Sequence, residues 1–598
     1  MVRILSMKSP LPRMTLALSA VCLLALCAGF GCQSSAPDGG SPSGKPSILL
    51  ISVDGLVPTD VSAFGGSIAT PTLQALVAEG QAWPQAQTVA PMTRPAVASL
   101  LTGLAPDRHA VRDDLFAALD EAVPTVAERL AAAGYRTAAF PDSAYLVQGS
   151  GLWRGFELIN DPPQVRIDPV RWFPRVLEAT EQTTAFSEWA ATANADESWF
   201  SWVHLSYPLV GQMKEVVVLD TDDEGKVTGA AGYVEFVEKF DQQLAALLSA
   251  LDAAGQRDNT AIFLVGTQAD QRGGDEESPG PGYSLADAAV QVPLVAVIPG
   301  GSALNRSSED AVWTLDVVAT ILELAGAEAT EAEEGISLTA SAAADRALFS
   351  WSWAQHDQLG WEPLVRVDLN DESAIRGDGT AAADDSLAAL FDGRKQPTPL
   401  VVPFDAVQTF LDEFKIEPSP IPAGGVEFRN RAERRLVSQL VWRGRGQYQM
   451  RDVQKAGTIL ASASRKRDTT NVTSFLDRGQ ARALSGAPRS VELMQKAVRL
   501  RPQDPDIWHW YAHSIWSEDW AAAERVLLAV EPYVSNKGDI LYDLACTRSL
   551  AEDLDRSAEF LEAAWRAGYR DANHMETDTD LRNLRESGKF SDVMRRLQ

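Results

Sequence analysis

The chain has 598 residues, with 53 Lys and Arg against 81 Asp and Glu for a formal net charge of −28, and only six His and four Cys. At roughly 100 to 200 residues per domain it holds two to four domains with large cores, and 45% hydrophobic with 22% charged residues is the composition of a globular chain, not a disordered one. The charge disfavours nucleic acid, which rewards clustered Lys and Arg; with Cys22, Cys27 and Cys32 at the N-terminus and Cys546 alone in the body, neither a disulfide framework nor a Cys-based zinc site can form within that body.

Arg3, Lys8 and Arg13 precede an apolar run from Leu16 to Phe30. This is the charged region and short apolar region of a secretory signal, expected over residues 1–31, and it is too short for a transmembrane helix. Cys32 follows, then the Ser/Gly/Pro-rich QSSAPDGGSPSGKP, which predicts a flexible tether over residues 32–46. The arrangement resembles a bacterial lipoprotein signal, in which Cys32 would become the lipidated first residue; Gly29 and Phe30 depart from the usual pattern. The alternative is cleavage by ordinary signal peptidase and a soluble secreted product. In either case the mature protein is expected outside the cytoplasm, in the periplasm or at the cell surface, and on the first reading a lipid anchor holds it to the outer membrane.

From Ser47 short β-branched and apolar runs alternate with helical patterns. Strands are predicted at 47–53, 135–140, 199–206, 260–267, 292–299 and 347–353. Helices are predicted in TPTLQALVAEG, opened by Thr70 and Pro71, and in PTVAERLAAAG, GYVEFVEKFDQQLAALLSALDAAG and DAVWTLDVVATILELAG. Continuous apolar strands separated by amphipathic helices predict an α/β domain over residues 47–402, with a largely parallel central sheet flanked by helices. Catalytic groups in such folds stand at the carboxyl ends of the strands.

After about residue 403 the strand signals stop. A connecting segment is expected over 403–470. Within it residues 429–467 carry eleven basic side chains against Glu433 and Asp452, a net of 11 − 2 = +9, which leaves −28 − 9 = −37 for the remainder. Such an island grips either an anionic partner, phospholipid included, or the acidic α/β domain itself. Residues 471–598 are expected to be all-helical. Gly479, Ala512 and Ala545 stand 33 apart, as do Met494, Leu527 and Phe560, and Ala497, Val530 and Ala563. The spacing resembles the tetratricopeptide repeat, whose paired helices stack into a solenoid and bind protein partners.

The segments PSILLISVDGLVPTDVSAFGG, ATPTLQALVAEGQAW, APMTRPAVASLLTGLAPDRHAV, GYRTAAF, GLWRGFE, DNTAIFLVGT, VPLVAVIPGG and GISL resemble, in order and spacing, the sulfatase branch of the alkaline phosphatase superfamily. The resemblance covers about residues 47–370, and some bacterial members are coupled to tetratricopeptide tails. It implies a nucleophile beside one or two divalent cations. The first metal-ligand position is Asp54, but the neighbouring Asp of sulfatases is Gly55 here. The nucleophile position is Thr93, which cannot yield the formylglycine aldehyde of sulfatases, and the Arg of that motif is Val97. A Thr can act directly as nucleophile in phosphodiesterase-type relatives; otherwise it caps the helix that follows. An Asp-Pro-His stretch is replaced by Tyr207 and Leu209, beside His204, which reads as a strand histidine with its own partners. The second metal stretch is Thr267-Gln268, where Gln268 keeps a neutral oxygen and Asp270 is a substitute only if the strand end shifts. His109 belongs to the structural RHAV segment, and Asp142 and Ala144 replace a Lys and His.

One carboxylate with neutral oxygens binds calcium or magnesium weakly and zinc worse. Asp220, Asp222, Glu224 and Gly225 match the first half of a calcium loop, but Ala231 stands where its bidentate Glu belongs. The expectation is therefore a catalytically degenerate sulfatase-like protein without a resident cofactor, acting in binding or scaffolding through its repeats. The alternative is a metal-dependent hydrolase or transferase of phosphate, phosphonate or sulfate esters that uses Thr93.

Overall fold

The computed structural model describes residues 45–598 apart from 115–116, 144–145, 147–149, 161–163, 169–170, 175–178, 194–196, 207–229, 270–281, 302–303, 331–332, 342–344, 355–362, 371, 377–389, 391–401, 419–489, 535–536, 570 and 598. The predicted signal, Cys32, Tyr207, Leu209, the acidic residues 220–225, Asp270, the basic stretch 429–467 and Gly479 lie outside the described residues.

Twelve strands are described. They are β1 (Ser47–Gly55), β2 (Gln81–Gln87), β3 (Arg136–Pro141), β4 (Leu158–Ile159), β5 (Gln164–Asp168), β6 (Arg171–Pro174), β7 (Trp199–Leu205), β8 (Thr260–Ala269), β9 (Gln291–Val297), β10 (Ala347–Ser352), β11 (Leu364–Leu369) and β12 (Glu372–Arg376). The central sheet has the order β2-β9-β8-β1-β7-β3-β4. Strands β8, β1, β7, β3 and β4 run parallel, whereas β9 is antiparallel to both β8 and β2. The sheet is thus mixed where a largely parallel one was expected. A parallel neighbour requires a crossover to the far end of the sheet, and β9 starts from the end at which β8 stops. β2 carries Pro84 and polar residues that hide it from an apolar-run criterion; it lies at the sheet edge, where a missing N–H is tolerated. The strand predicted at 347–353 is β10, and it joins β11 and β12 in a separate antiparallel sheet.

Alternation along the strands sends side chains to two cores. Ile48, Leu50, Phe200, Trp202, Phe263 and Val265 face one; Leu49, Ile51, Val53, Val203, Ile262 and Leu264 face the other. The predicted helices form at Pro71–Glu79, Val126–Ala132, Ala230–Ala253 and Thr314–Ala325. Thr125 and Glu128 close a capping box. Thr70 precedes its helix but makes no side-chain cap; the first amides go to Asp241, with Thr72 N and Leu73 N donating at 3.0 and 2.9 Å.

From Phe404 onward every described element is a helix. Pro505–Ile515 pairs with Trp520–Val530, and Lys537–Leu550 with Leu554–Arg566. Contacts recur at a sequence separation of 34: His509 with Asp543, Ser549 with Asn583, Asp555 with Lys589, and Glu562 with Arg596. Each of these contacts joins two helices of this region.

Candidate functional site

The carboxyl ends of β1, β7 and β8 bring together Asp54, Thr93, His204, Thr267 and Gln268, all buried. Thr93 is the first residue of the helix Thr93–Thr102 and does not cap it. Its hydroxyl instead donates to Asp54 Oδ2 at 2.8 Å and accepts from Gln268 Nε2 at 3.2 Å. The helix is buried along its whole length, so its first residue is held against the end of β1. Thr267 Oγ1 donates to Asp54 Oδ1.

A register shift explains how consecutive residues reach the same place. Val53 pairs with Gly266 but Asp54 pairs with Gln268, which leaves Thr267 as an extra residue on β8. In an unbroken strand Thr267 and Gln268 would point to opposite faces; the bulge re-aims them so that both contact the Asp54–Thr93 pair.

His204 stands opposite Ser52 in the β1–β7 register. Its Nδ1 lies 2.8 Å from Ser52 Oγ, which accepts from Trp202 Nε1 at 2.9 Å. A hydroxyl oxygen has two acceptor sites, so Ser52 Oγ can accept from Trp202 Nε1 and from a protonated His204 Nδ1 together. Nε2 is 3.3 Å from Asp54 Oδ2, an ion-pair contact off the line of a good hydrogen bond. Burial by itself would lower the pKa of His204, yet Asp54 first, then Asp142 and Asp114, raise it above the ordinary value and favour imidazolium.

Two further carboxyl groups face this centre. Asp114 Oδ1 accepts from Arg94 N at 2.7 Å, and burial pushes its pKa up to about 7, with Asp54 and Asp113 adding to the rise. Asp142 Oδ1 accepts from Ser206 N at 2.6 Å, and burial raises its pKa to about 6 against the opposing effect of His204. Asp114 and Arg94 were not singled out in the sequence, although Arg94 stands inside the TRPAVASLLTG segment. Gln268 Oε1 is buried without a hydrogen-bond partner. His109 lies apart from the centre: its Nδ1 accepts from Val111 N at 3.0 Å and its Nε2 meets Ser99 Oγ at 2.8 Å. Burial lowers its pKa to about 3, consistent with a neutral structural ring.

Residues 46–327 match the family described as Sulfatase. Over 104 residues the chain is 34% identical to an arylsulfatase of Klebsiella aerogenes, a match that covers 16% of this chain and only 22% of that protein. Among solved structures, the phosphonate monoester hydrolase of Agrobacterium radiobacter is 18% identical, with a TM-score of 0.47 over 58% of this chain and 94% of its own. A 2-O GAG sulfatase is 16% identical, with a TM-score of 0.44 over 62% of this chain and 92% of its own. The match to the Sulfatase family thus spans residues 46–327, a little under half of the chain.

Proposed function

We propose that this sulfatase-family domain is non-hydrolytic, and that the protein is exported, held to the membrane by lipid on Cys32, and acts by binding a protein partner through its C-terminal helix pairs, read as tetratricopeptide-type repeats. The observation that carries the reading is the filled shell of Asp54: Oδ1 accepts from Thr267, and Oδ2 faces Thr93 and His204. A divalent cation needs converging lone pairs, and this carboxylate is met by two hydroxyl donors and by the imidazole of His204 in ion-pair contact. Among the described residues the catalytic metals that the family implies do not fit these side chains. Asp54 and the unpartnered Gln268 Oε1 would hold at most a calcium or magnesium ion weakly, since affinity rises with ligand charge.

One observation favours a second reading, in which the domain transfers phosphate, phosphonate or sulfate groups. Thr93 Oγ1 donates to Asp54 and opens a helix, the arrangement expected of a hydroxyl nucleophile beside a proton acceptor, with a helix N-terminus favouring the incoming anion.

Elemental analysis of the mature protein, with turnover assays on aryl sulfate, phosphate and phosphonate esters, separates the two. The non-hydrolytic reading expects no metal that Asp54→Ala removes and no turnover that Thr93→Ala abolishes; either result would overturn it. Cys32→Ser is expected to move the protein from the membrane to the soluble fraction.

A further inference from the structure

Three of the six histidines, His509, His513 and His574, lie in the helical region. His509 and His513 are one turn apart on the helix Pro505–Ile515, so both rings project from one face. Asp543, on the helix Lys537–Leu550 of the next pair, stands 34 positions after His509. Both rings aim Nε2 at the same carboxylate oxygen: Asp543 Oδ2 is 2.8 Å from His509 and 2.7 Å from His513. Among the described residues this is the one group of three such side chains whose ligating atoms all lie within 4.8 Å of one another.

We propose that His509, His513 and Asp543 form a site for a divalent transition-metal ion, zinc by chemical class, that clamps the first helices of two successive helix pairs. Two imidazoles and a carboxylate are a donor set suited to zinc, and a helical i, i+4 His pair is a recurrent way of presenting two of them. Around a tetrahedral zinc, ligand atoms stand about 3.3 Å apart. The present 2.7 and 2.8 Å separations therefore open by roughly half an ångström when the ring protons move from Nε2 to Nδ1 and the lone pairs turn inward.

Two further acidic groups stand near the cluster. Asp539, one turn before Asp543, acts on His513, and Asp580 lies within electrostatic reach of Asp543. His513 is about one-third exposed, at 32% of its side chain, while His509 and Asp543 are nearly buried at 5% and 10%. Water can therefore complete the fourth position from the side of His513, and the buried pair fixes the geometry.

The test is titration of chelator-treated full-length protein with Co²⁺, read by the visible d–d absorption of four-coordinate cobalt, and with Zn²⁺, read by competition and by thermal melting. One equivalent per chain is expected, with a rise in the melting temperature. His513→Ala, at the most exposed ligand, and Asp543→Asn should each weaken binding by at least the ~10- to 100-fold seen for changes around a metal site, and Asp54→Ala should leave it unchanged. Folding of each variant is checked by circular dichroism. A folded wild-type protein with no cobalt band and no zinc-dependent melting shift overturns the proposal and leaves a buried hydrogen-bond network. A band that survives His513→Ala and Asp543→Asn but is lost in Asp54→Ala overturns it as well, and separately overturns the non-hydrolytic reading.

Discussion

His204 places its Nε2 3.3 Å from Oδ2 of Asp54, the same oxygen to which Thr93 donates. The ring of His204 on one strand thereby stands beside the carboxylate of Asp54 on the next, which raises the pKa of the imidazole. Removing either partner takes away the nearest opposite charge of the other. A double-mutant cycle with Asp54→Asn and His204→Gln, followed by urea unfolding, is expected to give a coupling energy of about 1–3 kcal/mol. Additive effects would mean that the contact does not hold the pair.

Asp316 is fully buried and binds two guanidinium groups. Arg306 and Arg346 approach its oxygens at 2.8 and 2.7 Å, and the amides of Trp313 and Ile336 donate to it at 3.0 and 2.8 Å. Replacing the carboxylate strands the buried cation of Arg306. Asp316→Asn is expected to cost about 3–5 kcal/mol, measured as a lowered midpoint in denaturant.

His109 makes a pH prediction. Its folded pKa is about 3 against an ordinary value of 6.5, so between those limits the unfolded chain binds the extra proton and stability rises with pH. The contribution is complete above pH 6.5 and is lost as pH falls toward 3, at about 1.4 kcal/mol per unit. In unfolding titrations, the wild-type acid limb should be steeper than that of His109→Gln by one proton. Equal slopes would contradict the neutral buried ring.

Gly155 has φ of +85°, and a Cβ there would lie 2.1 Å from the amide nitrogen of Glu128. The obstruction is backbone in the capped turn of the helix Val126–Ala132, so no side-chain rotation relieves it. Gly155→Ala should destabilise by more than the ~1 kcal/mol of an ordinary φ penalty, read as a drop in melting temperature; a neutral substitution would refute the close approach.

The strands and helices that position the centre were legible because their signals are local. The apolar run at 47–53 and the periodicity of PTVAERLAAAG specify β1 and a helix from neighbouring residues alone, whereas the cap expected at Thr70 does not form. β2 was not legible, since the environment of an edge strand, not its composition, permits Pro84 and the polar residues beside it. The 33-residue offsets after residue 490 fall in a region that is helical throughout its described residues. They did not disclose that His509 and Asp543 meet.

What the sequence by itself determined was the α/β domain, the helical region after it, and the identity of Asp54, Thr93 and Gln268 as positions of interest. The tertiary structure alone decided how those residues are used. Asp54 and Thr267 are 213 residues apart, and a one-residue bulge in β8 turns both Thr267 and Gln268 toward the centre. Whether His204 faces Ser52 and Asp54 depends on strand register, in which a shift of one residue exchanges the two faces of a sheet. Residue types are local properties; the convergence of two hydroxyls and an imidazole on one carboxylate is a property of the packed domain.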